Sequence, residues 1–133
     1  MPNINQDLLN MLLAFQKKEL TEYHIYQRLA KLVANPNNQQ ILAQIASDEL
    51  RHYHLCQKYT QTEVKPNCWQ VFLFSWVARI FGLTFGLKLM EKGETQAKNA
   101  YQEYSAQIPE LAQVIMDEDQ HEHQLLDLLE EDK

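Results

Sequence analysis

Turn-forming residues are scarce in this chain, with 3 glycines and 4 prolines in 133 residues. An all-β sandwich or barrel needs many more, so the scarcity points to a helical protein. Cysteine is scarcer still. Cys56 and Cys68 make no Cys-x-x-Cys pair and no set of four, which excludes a thiolate zinc ribbon or a rubredoxin-like site. Low-complexity tracts are missing and 45% of the residues are hydrophobic, so the bulk of the chain is not disordered. Positive charge is also in short supply, with 12 basic against 18 acidic residues and a net charge of −6. Without a basic patch there is little to neutralise phosphates, so nucleic acid is not an expected partner. No secretory signal pattern opens the sequence; with so few cysteines, a reducing cytoplasm is the expected setting.

The length fits a single domain over residues 1–133 with one hydrophobic core. Charge is segregated along it: residues 1–66 sum to +1, residues 67–90 to +2 and residues 91–133 to −9. A hydrophobic run of full membrane-spanning length is also missing. Val71–Leu87 is 17 residues long, at the short edge of a span, and Arg79 sits in its middle. It reads as a buried or partly exposed amphipathic helix. The sharper alternative is an interfacial membrane contact or a dimer face, helped by Trp69 and Trp76. The large apolar side chains between Val71 and Phe81 exceed what one helix face buries in a bundle of this size. A twofold homodimer with this segment in or beside the interface is therefore expected, with the bilayer surface as the other placement.

Hydrophobic period divides the chain into four long helical stretches and one short one. Over roughly residues 6–34 the stripe runs Leu8, Leu12, Phe15, Glu19, Glu22, Tyr26, Leu29, Val33, and Asn35-Pro36 ends it. Residues 37–60 carry Leu42, Ile45, Glu49, His52, Cys56 and Tyr59. Thr60–Asn67 is polar, contains Pro66 and reads as a loop, followed by a short helix over 68–81 and Gly82. Residues 83–106 carry Leu83, Leu87, Met90, Glu94, Ala97, Tyr101 and Tyr104, up to the break at Ile108-Pro109. Residues 110–130 carry Leu111, Val114, Glu118, His121, Leu125 and Leu128.

All four long stripes are apolar at both ends and interrupted in the middle by glutamate, with histidine added in the second and fourth. A buried ionised carboxylate is costly unless it is paired, hydrogen-bonded or metal-bound. Four interruptions at matching depth point to one shared polar site. The chain also repeats itself. Asp48-Glu49-x-x-His52-x-His54 matches Asp117-Glu118-x-x-His121-x-His123, and Glu19 and Glu94 each precede a Tyr-Gln pair by seven residues. Two helix hairpins related by an approximate twofold axis would bring all four motifs together.

In Glu-x-x-His on a helix the two side chains share a face, so both reach one cation or one of a close pair. Glu19, Glu49, His52, Glu94, Glu118 and His121 then supply four carboxylates and two imidazoles, the pattern of di-iron and di-manganese carboxylate bundles. Oxygen and nitrogen donors without paired thiolates suit iron or manganese, two ions per chain. Chance supplies about 0.45 Glu-x-x-His pairs at this composition. Two pairs alone would therefore say little; two pairs inside a matching repeat, on apolar stripes with two further glutamates, say much more. The competing reading of these six residues is a metal-free ionic network.

The neighbours are less determined. Glu91, one turn before Glu94, is either a seventh ligand or a surface residue. Glu22, whose counterpart is Ala97, is either an extra ligand or a hydrogen-bond partner. Glu122, four residues after Glu118, poses the same choice. Tyr26 and Tyr101 read as core tyrosines whose hydroxyls seek a partner, ligand carboxylates among them. His54 and His123 point away from the first histidines toward the surface. Cys56 reads as a buried inert thiol.

Through Glu19 with Tyr26, Glu49 with His52, Glu94 after Gly93, and Glu118 with His121 and Glu122, the chain resembles the ferritin-like superfamily. Within it the resemblance is to the rubrerythrin-type di-iron domain and covers nearly all of the chain. Ala78–Glu94 (ARIFGLTFGLKLMEKGE) is similar to the rubrerythrin-like N-terminal domain of vacuolar iron transporter family proteins. There a transmembrane iron transporter follows; this sequence stops at Lys133, as an excised domain or a stand-alone relative. The resemblance implies an all-α, ferritin-like four-helix bundle with a left-handed crossover. Residues 60–82 would carry the long connection between the second and third long helices, with the short extra helix inside it. It also implies that Glu19, Glu49, His52, Glu94, Glu118 and His121 hold iron, with Glu91 a seventh ligand and Glu22 and Glu122 weaker carry-overs. A membrane iron transporter domain is an implied partner. The four-cysteine rubredoxin module of full-length rubrerythrins is not in this sequence.

The expected function is Fe(II) binding and oxidation by O2 or hydrogen peroxide, as a ferroxidase or rubrerythrin-like peroxidase in iron homeostasis or oxidative-stress defence. The alternative is a non-catalytic iron-sensing or iron-delivery domain serving a membrane iron transporter.

Overall fold

In the computed structural model of the chain, residues 4–83, 86 and 94–131 are described, with the side chains of 94–97 and 129–131 outside that set. The described secondary structure is all helical: α1 (Gln6–Leu32), α2 (Pro36–Thr60), α3 (Cys68–Phe81), α4 (Glu94–Tyr104) and α5 (Glu110–Glu131). Of the helix expected over 83–106, the described residues are Leu83, Gly86 and 94–106, and the helix ends at Tyr104, two residues earlier than expected. Its stripe positions Leu87 and Met90 and the candidate ligand Glu91 lie outside the described residues.

Asparagine starts each of the first three helices. The Asn5 side chain accepts from the Leu8 N–H at 2.8 Å, Asn35 from Asn37 at 2.8 Å and Asn67 from Gln70 at 3.1 Å. Each satisfies a backbone donor that the first turn leaves without a partner. Pro36 sits in the first turn of α2, where its missing N–H costs nothing. α1 ends two residues earlier than the period alone suggests, because Val33 is already extended. α2 closes on Gln61, whose φ of 53° is left-handed and whose N–H returns to the Gln57 carbonyl.

α1 and α2 pair as a hairpin; α3 packs against α1, and α5 touches both α4 and α2. The 61–67 connection is tied to α1 by buried polar side chains that the period did not reveal. Gln16 donates to the Thr62 carbonyl at 2.6 Å and accepts from the Thr60 hydroxyl at 2.6 Å, and Thr21 accepts the Asn67 N–H at 2.9 Å.

The core comes in two pieces. One gathers Leu8, Leu12, Phe15, Cys56, Tyr59, Tyr101, Ile108, Leu111 and Val114. The other gathers Ile25, Tyr26, Leu29, Leu42, Ile45, Ala46, Val71, Ala78 and Leu128. Along α1, residues 8–15 belong to the first piece and 25–29 to the second, with Glu19 and Glu22 buried between them. α2 and α5 divide in the same way around Glu49 and His52 and around Glu118 and His121. A polar layer is thus sandwiched between two apolar plugs that keep water from its ends.

Candidate metal centre

Helical spacing delivers the layer's side chains from three helices. Glu19, Glu49, His52 and Glu118 are all buried, and each offers a ligand atom within 4.8 Å of the others. His121 joins them at 3% exposure, its Nδ1 lying 3.1 Å from Glu49 Oε1 and 3.8 Å from Glu118 Oε2. His52 Nδ1 stands 3.4 Å from Glu19 Oε2, 3.3 Å from Glu118 Oε1 and 3.8 Å from Glu49 Oε1. Both imidazoles therefore aim Nδ1 at the same cluster of carboxylates.

Their other nitrogens face outward onto aspartates, and the two repeats exchange partners. His52 Nε2 meets Asp117 Oδ2 at 2.8 Å, and His121 Nε2 meets Asp48 Oδ2 at 2.8 Å. Each aspartate is held in turn from four residues upstream. Gln44 donates to Asp48 Oδ1 at 3.1 Å and Gln113 to Asp117 Oδ1 at 3.1 Å. A carboxylate behind an imidazole fixes the ring's orientation and the nitrogen available to a cation. Helical period alone gives Asp48 and Asp117 no role and does not single out Gln44 and Gln113. The signal was present, because all four occupy equivalent positions in a longer repeat, Gln-x3-Asp-Glu-x2-His-x-His. Arg51 breaks the symmetry. Its guanidinium donates to Asp117 Oδ2 at 2.9 Å and Asp48 Oδ1 at 3.3 Å, where the second repeat has Gln120.

Electrostatics in the layer follow from crowding. Burial alone would push the carboxyl of Glu49 upward, and the charges of Glu19 and Glu118 push it further, so it stands well above the ordinary range. Burial opposes ionisation of Glu118 as well, but contact with the His121 and His52 rings overrides it and holds Glu118 well below that range. Glu19 is also lowered, because its contacts with His52 and Glu49 outweigh burial and the charge of Glu118. Desolvation works against a charged His52, yet the adjacent Glu118, Glu19 and Asp117 carboxylates push its pKa up to about 10. His121 is raised for the same reason by Glu118 and Asp48, again against desolvation.

Both oxygens of Glu49 and Oε1 of Glu118 are buried without a hydrogen-bond partner. A buried acceptor left unsatisfied costs about 1–3 kcal/mol, more when charged. A metal ion could supply what these oxygens lack.

The remaining candidates separate cleanly. Tyr101, 1% exposed, donates its hydroxyl to Glu19 Oε1 at 2.6 Å and stacks on Phe15 at a ring separation of 4.0 Å. Tyr26 is buried in the second core piece. Glu22 is buried at the edge of the layer: Lys18 holds its Oε1 at 2.7 Å, and its Oε2 is unsatisfied. Glu122 is not brought to the cluster. Its side chain is 43% exposed and meets Lys98 at 3.0 Å on the outside of the α4–α5 pair. Glu94 begins α4, with its side chain outside the described residues. His54 and His123 are exposed. Cys56 is a buried thiol whose pKa is pushed far up by desolvation and the charge of Glu19, which fits an inert role.

The crossed aspartates carry a prediction. Asp117→Asn should lower Fe(II) or Mn(II) affinity by roughly 10–100-fold without loss of helix content. Metal titration with circular dichroism measures both, and unchanged affinity would remove Asp117 from the site.

No protein-family model, curated protein or solved structure matches the chain.

Proposed function

We propose that the chain is a di-iron carboxylate protein of the ferritin-like, four-helix-bundle type that binds Fe(II) and oxidises it with O2 or hydrogen peroxide. The observation that carries this reading is the buried group of Glu19, Glu49, His52 and Glu118, with ligand atoms within 4.8 Å of one another, and His121 beside it. The unsatisfied oxygens of Glu49 and Glu118 support it further. Glu94 enters as the sixth ligand from the repeat, where it matches Glu19. Iron bound there would supply one electron per ion to the oxidant.

The chain's own residues account for the rest. His52 and His121 present Nδ1 inward because Asp117 and Asp48 hold Nε2. Glu49 and Glu118, each near both imidazoles, would hold metal together with both rings. Tyr101 fixes one oxygen of Glu19 and leaves the other toward His52. The apolar plugs exclude bulk water on either side, which strengthens every charge interaction between them.

Anaerobic Fe(II) titration followed by oxidant tests the reading. Calorimetry should saturate near two equivalents, as the paired-carboxylate pattern requires. Oxidant should then produce a rapid absorbance change. Saturation near one equivalent removes the paired site. Two ions bound without oxidation would turn the reading to iron sensing or delivery.

A further inference from the structure

We propose that the outward face of α3, with the cationic groove between α3 and α1, docks on an anionic lipid bilayer. α3 is strongly apolar, with Gln70, Ser75 and Arg79 its polar exceptions. Val71, Val77 and Ala78 are buried, while Trp69, Phe72, Trp76 and Ile80 are 48–69% exposed. Their spacing of three or four residues makes one continuous outward row. Both tryptophans of the chain stand in it. A row of exposed aromatics on a small protein marks a surface that meets something apolar.

Charge decides what that is. Arg28 and Lys31 from α1 and Arg79 from α3 line a groove of about 430 Å³ whose wall includes Phe72 and Trp76. Among the described residues none of the three cations has an ion-pair partner. Residues 64–90 hold three basic residues and no acidic one, in a chain of net charge −6. A second copy seated by a twofold axis would set these cations against themselves, with no carboxylate among the described residues that line the groove. An uncharged apolar partner would leave them unanswered too. An anionic bilayer answers both features: lipid phosphates meet the cations, and the tryptophans and phenylalanine enter the headgroup boundary. No helix among the described residues is long and apolar enough to cross a membrane, so the contact runs along the surface.

Vesicles of pure phosphatidylcholine and vesicles containing phosphatidylglycerol, each mixed with the full chain, test this. Because both tryptophans lie on the face, their fluorescence reads it directly. The expected result is a blue shift and co-sedimentation with the anionic vesicles only, both weakening with added salt. Lys31→Glu and Arg79→Glu should each weaken partitioning by roughly fivefold or more. Trp76→Glu should weaken it as well, and all three variants should bind Fe(II) like the wild type. Four results would overturn the proposal: no binding to anionic vesicles; equal binding to both kinds; the same shift with inorganic phosphate alone; or a dimer by light scattering whose tryptophans are already blue-shifted and ignore vesicles.

Discussion

Glu49→Gln is expected to lose metal binding while making the metal-free fold more stable. Both Glu49 oxygens are buried without a hydrogen-bond partner, and burial together with the Glu19 and Glu118 charges pushes its carboxyl well above the ordinary range. A carboxyl raised in this way contributes stability below its unfolded pKa and loses it as pH rises through the folded value. The amide keeps the shape, carries no charge at any pH, and can donate to Glu19 or Glu118 where a carboxylate would repel them. Urea unfolding of chelator-treated protein should therefore favour the variant on the alkaline side, by about 1–3 kcal/mol, the cost of an unsatisfied buried group. Fe(II) affinity should fall roughly 100-fold or more, beyond the range seen when only a supporting partner is lost. A variant that is less stable at every pH, or that binds iron normally, would show that Glu49 is an ordinary core residue.

Metal affinity should also climb steeply with pH across neutrality. His121 and Glu49 are raised toward holding a proton, and His52, with a pKa of about 10, carries one at neutral pH in the metal-free protein. Glu118 and Glu19, both lowered, do not. A cation that takes the two Nδ1 atoms and Glu49 must expel those protons. Each proton displaced changes apparent affinity by roughly tenfold per pH unit. Calorimetry in buffers of differing ionisation enthalpy counts the protons released. An affinity that does not change with pH would mean that the rings and Glu49 are already bare and the crowding argument fails.

What the sequence made legible here is what helical period and repetition record. The four-three stepping of Leu8, Leu12, Phe15 and Glu19 states which face of α1 is inward, and the structure buries all four. The glutamates that interrupt the stripes of α1, α2 and α5 mark the polar layer, and the structure buries Glu19, Glu49 and Glu118 there. Partners across helices left no such trace. That Asp117 serves His52 and not its own neighbour His121 depends on how α2 and α5 face each other, which no single-helix pattern contains. Glu122 shows the same limit from the other side. Its spacing from Glu118 suited a ligand, but one turn along a helix also drifts round it, far enough here to reach Lys98 instead. Gln16 and Thr21 are polar residues off the apolar stripe, and only the path of the 61–67 connection explains their burial.

The crossed histidine–aspartate pairs span 65 and 73 residues of chain. Contacts so distant in sequence close late in folding, after local helices have formed and the entropy of joining the two ends has been met. The α1–α2 hairpin, made before α5, carries Glu19, Glu49 and His52, yet the outer nitrogen of His52 finds its partner only on α5. On the proposed function, the tight hold on a metal ion is complete only once α5 has packed against α2.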